Sequence, residues 1–594
     1  MPDTSEKPLS RFLDGLCGLD LDADENVYYD SLDLDINNQE ESHYLGSGAF
    51  SLLTLDNPPT SSATTSTSPG NGPIENLTYR QVGDPRDPVY FLRNPSKVYG
   101  ESNPAYQGEA TYDMALRILR TQNKELPSRL VQLFFKRTWP ALPVVNRVRL
   151  QAACFALEGA GPFPHALLVG VLANSAVMIP LLHAHAKELW TLVLHLLDNE
   201  YRQPRLQTLQ LALLEIYGRP VQNPGGNHTS ICRALGAAQI LGLHRDCSTW
   251  RLPAWELSVR KRVWWTLCIA DKWNSFVYGR PSNILDPESV PIPTLRDDDW
   301  DGTNEGGEQG SISTYIATCR LTVILDTLLP YLNGDNQSLN FTSGRQGMAL
   351  RKAASALEVI DRGLHLHPAQ HGYRNLQLCQ HGIEMLVCRL GLEEASQLSP
   401  QRFSSRAVQA LEVIKTCVTS LETLGTEDYF GFWTPWSSYL ISHAVAFLLR
   451  IAIKTFTNET RMSAHLATWQ QALELVERTV IVVQRGCDAG WDVAEAAMPR
   501  LKILIRSMPA VDGTDRIKAL IAPLPELGGS TQGDFCARRQ CRFELTLGAE
   551  SLADIQDLLF TEDWLTADVL RDFTESSRDL FRVGDESIHF GSSG

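Results

Sequence analysis

The stretch from Pro253 to Tyr278, "PAWELSVRKRVWWTLCIADKWNSFVY", constrains the fold more than any other part of this chain. It predicts one long helix. Glu256 and Arg260 stand four apart in the order that favours an intrahelical pair, Gly279 can take the left-handed conformation of a helix end, and Pro281 prevents continuation. At about 100° per residue, Val263, Trp265, Leu267, Ile269, Trp273, Phe276 and Val277 spread over most of the circumference. A helix apolar nearly all round belongs in the middle of a bundle. Lys261 and Lys272 share one narrow edge that is expected to reach solvent. The tryptophans are therefore expected in the core, and Arg260, Lys261, Arg262 and Lys272 at its rim, as a candidate partner or effector surface. A platform for single-stranded nucleic acid would instead need spaced aromatics on an exposed, basic face.

The rest of the body follows the same pattern. From about residue 110 to 506, runs such as "LPSRLVQLFFKRTW", "AKELWTLVLHLLDNEY", "RLQTLQLALLEIYG" and "ATWQQALELVERTVIVVQRG" repeat apolar residues every three to four positions between Gly and Pro breaks. Alternating strand patterns are scarce, so the fold class is all-α, a large helical domain. At 594 residues the chain exceeds one ordinary core, which leaves one large domain or two fused ones. The apolar run "HALLVGVLANSAVMIPLLHAHA" is interrupted by Asn174 and Pro180 and reads as buried helix; no membrane span is expected. The start lacks the pattern of a signal peptide. The twelve cysteines form no CxxC pair, as expected for reduced, mostly buried thiols of an intracellular protein.

The net charge of −16 belongs to the ends. Residues 1–56 carry thirteen acids against two bases, and residues 549–594 eleven against three, which leaves a near-neutral body without a strong field for phosphate backbones. "FLDGLCGLDLDADENVYYDSLDLDI" interleaves Leu, Phe and Tyr with aspartate, and "NPPTSSATTSTSPGNGP" cannot pack. Residues 1–73 are thus expected to be a disordered acidic segment and linker, 74–510 the helical domain, and 511–594 a loop-rich tail. In that tail Leu558, Leu559, Phe560, Trp564, Leu565, Leu570 and Phe573 stand among acids, as in an activation segment. Such a segment can fold as a short helix in a partner's groove or dock on its own domain.

"PRLQTLQLALLEIYGRP" (Pro204 to Pro220) precedes "RALGAAQILGLHRDCSTWRLPAWELSVRKRVWWTLCIADKWNSFVYGRPSNI" (Arg233 to Ile284). This ordered string strongly resembles the regulatory middle homology domain of fungal zinc-cluster transcription factors. The DKW and W-x-x-P-x-W-E variants look most like the nitrogen-catabolism co-activator subgroup. "YLGSGAF" (Tyr44 to Phe50) and "LVQLFFKRTWPALPVVNR" (Leu130 to Arg147) look like its upstream boxes. The resemblance implies a helical regulatory domain, nuclear location, transcriptional control and no catalytic residues. It also makes the paired tryptophans, Gly236, Gly242 and the GRP turn architectural.

The family reads DNA with a six-cysteine cluster of C-x2-C-x6-C spacing that holds two zinc ions. Before Cys154 this sequence has one cysteine, Cys17, and Cys536 and Cys541 have no companions. No zinc or other cofactor is therefore expected. Either a DNA-bound partner brings the protein to its targets, or a zinc-cluster exon lies upstream of Met1. Expected partners are other transcription factors or co-activators, with DNA contact indirect, homo- or heterodimers open and no membrane. The acidic ends lean towards activation of a metabolic or secondary-metabolite pathway. Two rivals stand beside this non-enzymatic reading. "DDDWD" (Asp297 to Asp301) matches the D-D-x-x-D pattern of magnesium- and diphosphate-binding terpene-cyclase-like enzymes, against a solvated acidic turn. A non-transcriptional helical scaffold would share the fold. His365, His367, His371, Cys379 and His381 offer metal-ligand types, but Pro368 and Gly372 interrupt any fixed geometry, and a polar loop is preferred.

Overall fold

The computed structural model describes residues 31–32, 40–45, 78–83, 89–95, 108–121, 123–154, 164–218, 224–294, 309–333, 343–364, 366–457, 463–506 and 514–521. The helices are α1 (Gly108–Arg120), α2 (Leu126–Leu133), α3 (Arg147–Cys154), α4 (His165–Ala176), α5 (His183–Glu200), α6 (Leu206–Gly218), α7 (Pro224–Ile240) and α8 (Ala254–Tyr278). They continue with α9 (Gln309–Leu328), α10 (Ser343–Leu357), α11 (Tyr373–Leu398), α12 (Pro400–Glu422), α13 (Ser437–Thr457), α14 (Ser463–Asp488), α15 (Asp492–Arg506) and α16 (Thr514–Leu520). The fold is all-α, as the periodicity indicates.

Local sequence explains the elements. In α5 the buried residues Ala186, Leu189, Trp190, Val193, Leu196 and Leu197 recur at helical spacing and form one stripe. Ala166 to Ala176 of α4 are all buried, so the first half of the interrupted apolar run is an interior helix, while the second half turns at Pro180–Leu182 and enters α5. Ser399 opens α12 by accepting the Arg402 amide at 3.3 Å, with Pro400 at the first helical position. Residues Ile312–Leu332, which the sequence reading did not single out, are long and apolar enough to cross a membrane; 72% of their most apolar window is buried in the protein, as in a core helix.

One hydrophobic core runs from Ala115 to Ile521. Within it α4 lies against α1, α2, α5 and α6, while α11, α12, α13, α14 and α15 pack on one another. Helix α8 sits between these groups: it contacts α6, α7 and α9, and Trp273 stacks on Trp436, just before α13 of the second group, 5.8 Å apart and 8° from parallel.

A three-stranded antiparallel sheet adds to the helices, with β1 (Glu40–Leu45), β2 (Thr78–Gln81) and β3 (Tyr90–Pro95) in the order β1-β3-β2. Tyr44 pairs with Phe91 and Arg80 with Phe91 across the two ladders. The sheet covers a satellite core of Leu32, Val82, Val89, Phe91, Cys247, Trp250 and Leu252. This corrects the sequence boundary. Residues 31–32 and 40–45, expected in a disordered segment, are docked on the body, because Leu32 finds an apolar cluster and Ser31 a buried carboxylate. The remaining residues of 1–30 and all of 522–594, including Leu558 to Phe573, fall outside the described residues, as do Asp297 to Asp301.

Candidate functional site

Glu256 lies in the first turn of α8, where a carboxylate suits the helix dipole. It is fully buried. Arg260 Nε donates to its Oε1 at 2.8 Å, and the Ser31 hydroxyl and the Leu32 amide (3.1 Å) donate to its Oε2. Arg260, 3% exposed, also donates through Nη1 to Leu241 O at 2.9 Å and lies over the Trp250 ring at 5.8 Å. A buried ion pair persists only when its remaining donors and acceptors are matched. Here the matching groups come from three distant segments: the acidic amino-terminal stretch, the LGLHRD string and α8.

The other end of α8 is tied in the same way. Asp271 accepts from Ser282 Oγ at 2.6 Å, Asn283 N at 3.0 Å, Asn283 Nδ2 at 2.9 Å and Ile284 N at 3.1 Å. Lys272 Nζ pairs with Asp326 at 2.5 Å and donates to Ile284 O. The Asp-Lys pair and the GRPSNI stretch are therefore one structure, in which the helix end folds back onto the helix. Gly279, at φ 62°, makes the turn, and the Arg280 amide donates to Ser275 O at 3.1 Å. The tryptophans are core, as expected. Trp265 Nε1 donates to Val290 O and Pro291 O, both at 3.0 Å, and Trp273 Nε1 to Thr322 Oγ1 at 3.1 Å.

The cations are not a rim. Arg260, Arg262 and Lys272 are 3%, 0% and 2% exposed, and only Lys261 of the four candidates is half-exposed. The expected partner surface is thus corrected for three of its four residues. The reason is that α8 is enclosed by α6, α7 and α9, so its polar edge meets Glu256, Asp326 and main-chain carbonyls rather than water.

Between the sheet and α8 lies a cleft of about 670 Å³, lined in part by His244, Trp250, Trp264, Ile284 and Leu285, with Arg245, Asp246 and Asp286 at its edge. The LGLHRD string and the loop after the GRP turn thus line one cleft. Gly242, at φ 70°, lets the sheet approach: a Cβ there would stand 3.2 Å from Phe91 and 3.3 Å from Tyr44. His244 meets Tyr44 edge-on at 5.0 Å. Burial, with Arg245 adding to it, holds the His244 pKa below its ordinary value, so the ring is neutral at physiological pH. Its Nδ1 has no hydrogen-bond partner among the described residues. Trp250 and Trp264 offer the cleft aromatic faces, and Gln239, Arg245, Asp246, Asn283 and Asp286 line it with polar and charged groups, so it can hold a ligand by aromatic and polar contact. Sequence reasoning missed it because strands of four and six residues give too short an alternation to read.

Of the His/Cys set, His365 lies outside the described residues, and the others do not converge. Cys379 and His381 are on α11, where His381 Nδ1 is 2.9 Å from Glu384 and its Nε2 3.2 Å from Ser420 Oγ. Among the described residues no group of three or more His, Cys, Asp or Glu gathers in a metal-binding arrangement. The cysteines whose side chains are described are free thiols, most of them buried. Burial raises the pKa of the buried ones, to about 11 for Cys247 and about 12 for Cys379, which keeps them protonated and unreactive.

Comparison with known proteins places these motifs. Residues 131–346, which contain α8 and both tied loops, match the fungal specific transcription factor domain. An uncharacterized transcriptional regulatory protein of Schizosaccharomyces pombe is 24% identical over 458 residues, 73% of this chain and 65% of that protein. The transcriptional activator protein DAL81 of Saccharomyces cerevisiae is 28% identical over 178 residues, 29% of this chain and 18% of DAL81. The acetamidase regulatory protein of Aspergillus fumigatus is 24% identical over 298 residues, 48% of this chain and 36% of that protein. The chain spans less than two thirds of the length of each of these relatives. Its residues 131–346 thus match the fungal specific transcription factor domain, and the chain is similar to fungal transcriptional regulators, as its motif string indicated.

Proposed function

We propose that this protein is a nuclear transcriptional regulator of positive sign, without enzymatic activity, that is brought to DNA by a partner. The observation that carries the reading is the domain match over residues 131–346, in company with relatives named as a transcriptional regulator and a transcriptional activator. The buried state of Arg260, Arg262 and Lys272 supports indirect DNA contact, because the most conspicuous basic run of the body offers those charges to the interior and not to phosphates. In this reading the helical body governs exposure of the acidic-hydrophobic segments, which contact co-activators or other transcription factors. Docking of Ser31 and Leu32 on Glu256 supports that division of labour. The magnesium-diphosphate reading of Asp297 to Asp301 draws no support from relatives named as regulators.

Tethering to a foreign DNA-binding domain tests this. Residues 1–56 or 549–594, fused alone, should activate a reporter, and Glu256→Ala in the tethered full chain should raise its activity by freeing the amino-terminal segment. Silence from both ends would favour a non-transcriptional scaffold, and release of diphosphate with magnesium would revive the enzyme.

A further inference from the structure

A separate cavity of about 330 Å³ lies at the carboxyl end of α8, bounded by Phe276 of α8, Leu440 and Ala446 of α13, and Ile503 and Leu504 of α15. Its walls are largely apolar, with Ser442, His443 and Tyr439 beside the entering Arg500. Arg500 Nη2 donates to Ser438 Oγ at 2.7 Å and Nε to Ser442 Oγ at 3.2 Å, and the guanidinium lies 3.8 Å from the Tyr439 ring centre. These are neutral partners. Among the described residues no carboxylate pairs with Arg500, whereas Arg374, Arg478 and Arg516 each have an acid within 4.0 Å. Arg280 lies over Tyr278 at 5.0 Å, and Tyr278 meets Tyr439 edge-on at 4.8 Å, so further positive charge stands on the same side. His443 in the wall adds no charge, because burial and Arg389 hold its pKa at about 4.

A partly desolvated cation held only by hydroxyls and a ring favours an anion beside it. The size and the apolar walls decide which anion. A folded peptide segment exceeds the volume, phosphate would leave the apolar wall bare, and a neutral apolar compound would leave Arg500 without countercharge. We infer that this cavity binds a small organic monocarboxylate, with its carboxylate on Arg500 and its apolar body against Phe276, Leu440, Ala446 and Leu504. The site is independent of the regulatory reading above, which assigns nothing to it.

Calorimetric titration of the full chain with 3-phenylpropanoate, and with 3-phenylpropanamide as its neutral twin, tests the assignment. The acid should bind at least about tenfold more tightly than the amide. Arg500→Gln should erase that difference while leaving amide binding intact, and Ala446→Phe, which fills the apolar end, should abolish both. Equal binding of acid and amide, undiminished acid binding by Arg500→Gln, or no acid binding at millimolar concentration overturns the assignment. Where Arg500→Gln fails to fold, Ala446→Phe decides: lost acid binding supports the site and retained binding overturns it.

Discussion

The two ends of α8 hold charge in different ways. At the amino end, Glu256 and Arg260 are sealed at 0% and 3% exposure, and their remaining groups are met by Ser31, Leu32 and Leu241. At the carboxyl end, Lys272 is as deeply buried, but its partner Asp326 is 28% exposed. A charge left behind at the first site has no water to turn to, whereas one left at the second has. The difference teaches that the cost of breaking a pair is set by the exposure of the survivor, not by the bond that is lost.

The largest effect should therefore come from Glu256→Ala, which strands Arg260 and should cost about 3–5 kcal/mol, read from the urea midpoint. Replacing Glu256 by Leu and Arg260 by Met together should cost less than the single change, since no buried charge is stranded. A double variant weaker than the single one would break the account of this knot.

Acid should next act on the carboxyl half of the bundle. His443 and His371 are held neutral by burial, with pKa values pulled down to about 4 from an ordinary 6.5. Below pH 6.5 the unfolded chain takes up protons that the folded one refuses, so stability is full above that pH and falls as pH drops towards 4. Each histidine contributes a slope of at most about 1.4 kcal/mol per pH unit. His443→Phe should flatten the dependence of the urea midpoint on pH between 6.5 and 4; an unchanged slope would assign the loss to other groups.

Lys272→Met should rank third, at about 1–3 kcal/mol, because it leaves Asp326 without its donor while Asp326 keeps access to water and Ile284 O keeps the Ser282 hydroxyl at 3.0 Å. Thermal or urea unfolding read beside Glu256→Ala orders the two. A larger loss for Lys272→Met would invert the comparison between the ends.

What could be read from residues alone follows from where the partners are. The span of α8, its end at Gly279 and the placing of Trp265 and Trp273 in the core depend on neighbours within one helix turn, and all were legible. The cations were misplaced because a helical wheel shows which side a lysine is on but not that Asp326 waits there. Glu256 was legible as the mate of Arg260, four residues on, but not as the anchor of Ser31, 225 residues away. The cleft was invisible for a related reason: Val89, His244 and Ile284 meet in its lining from segments far apart in the sequence, and the strand that follows Val89 is too short to announce itself. The Arg500 cavity has no motif, since Phe276, Ala446 and Ile503 come from three helices.

The smallest effect should come from a pair that looks the strongest on paper. Arg478 grips Glu422 with two bonds, Nη2 to Oε2 at 2.6 Å and Nε to Oε1 at 2.8 Å, between α14 and α12. The hydrogen bond from Arg478 holds the Glu422 pKa below its ordinary value. A carboxylate with a lowered folded pKa adds stability above its unfolded pKa and loses it as pH falls through the folded one. Yet the two side chains are 27% and 34% exposed, so water and salt compete for both, and either survivor is readily hydrated. Arg478→Ala should therefore cost about 0.2–1 kcal/mol at neutral pH, shrinking further in high salt, despite geometry better than that of Lys272. Unfolding at low and high ionic strength separates the alternatives. A loss equal to that of Glu256→Ala, and indifferent to salt, would mean that bond geometry, not the exposure of the stranded charge, ranks the ion pairs of this protein.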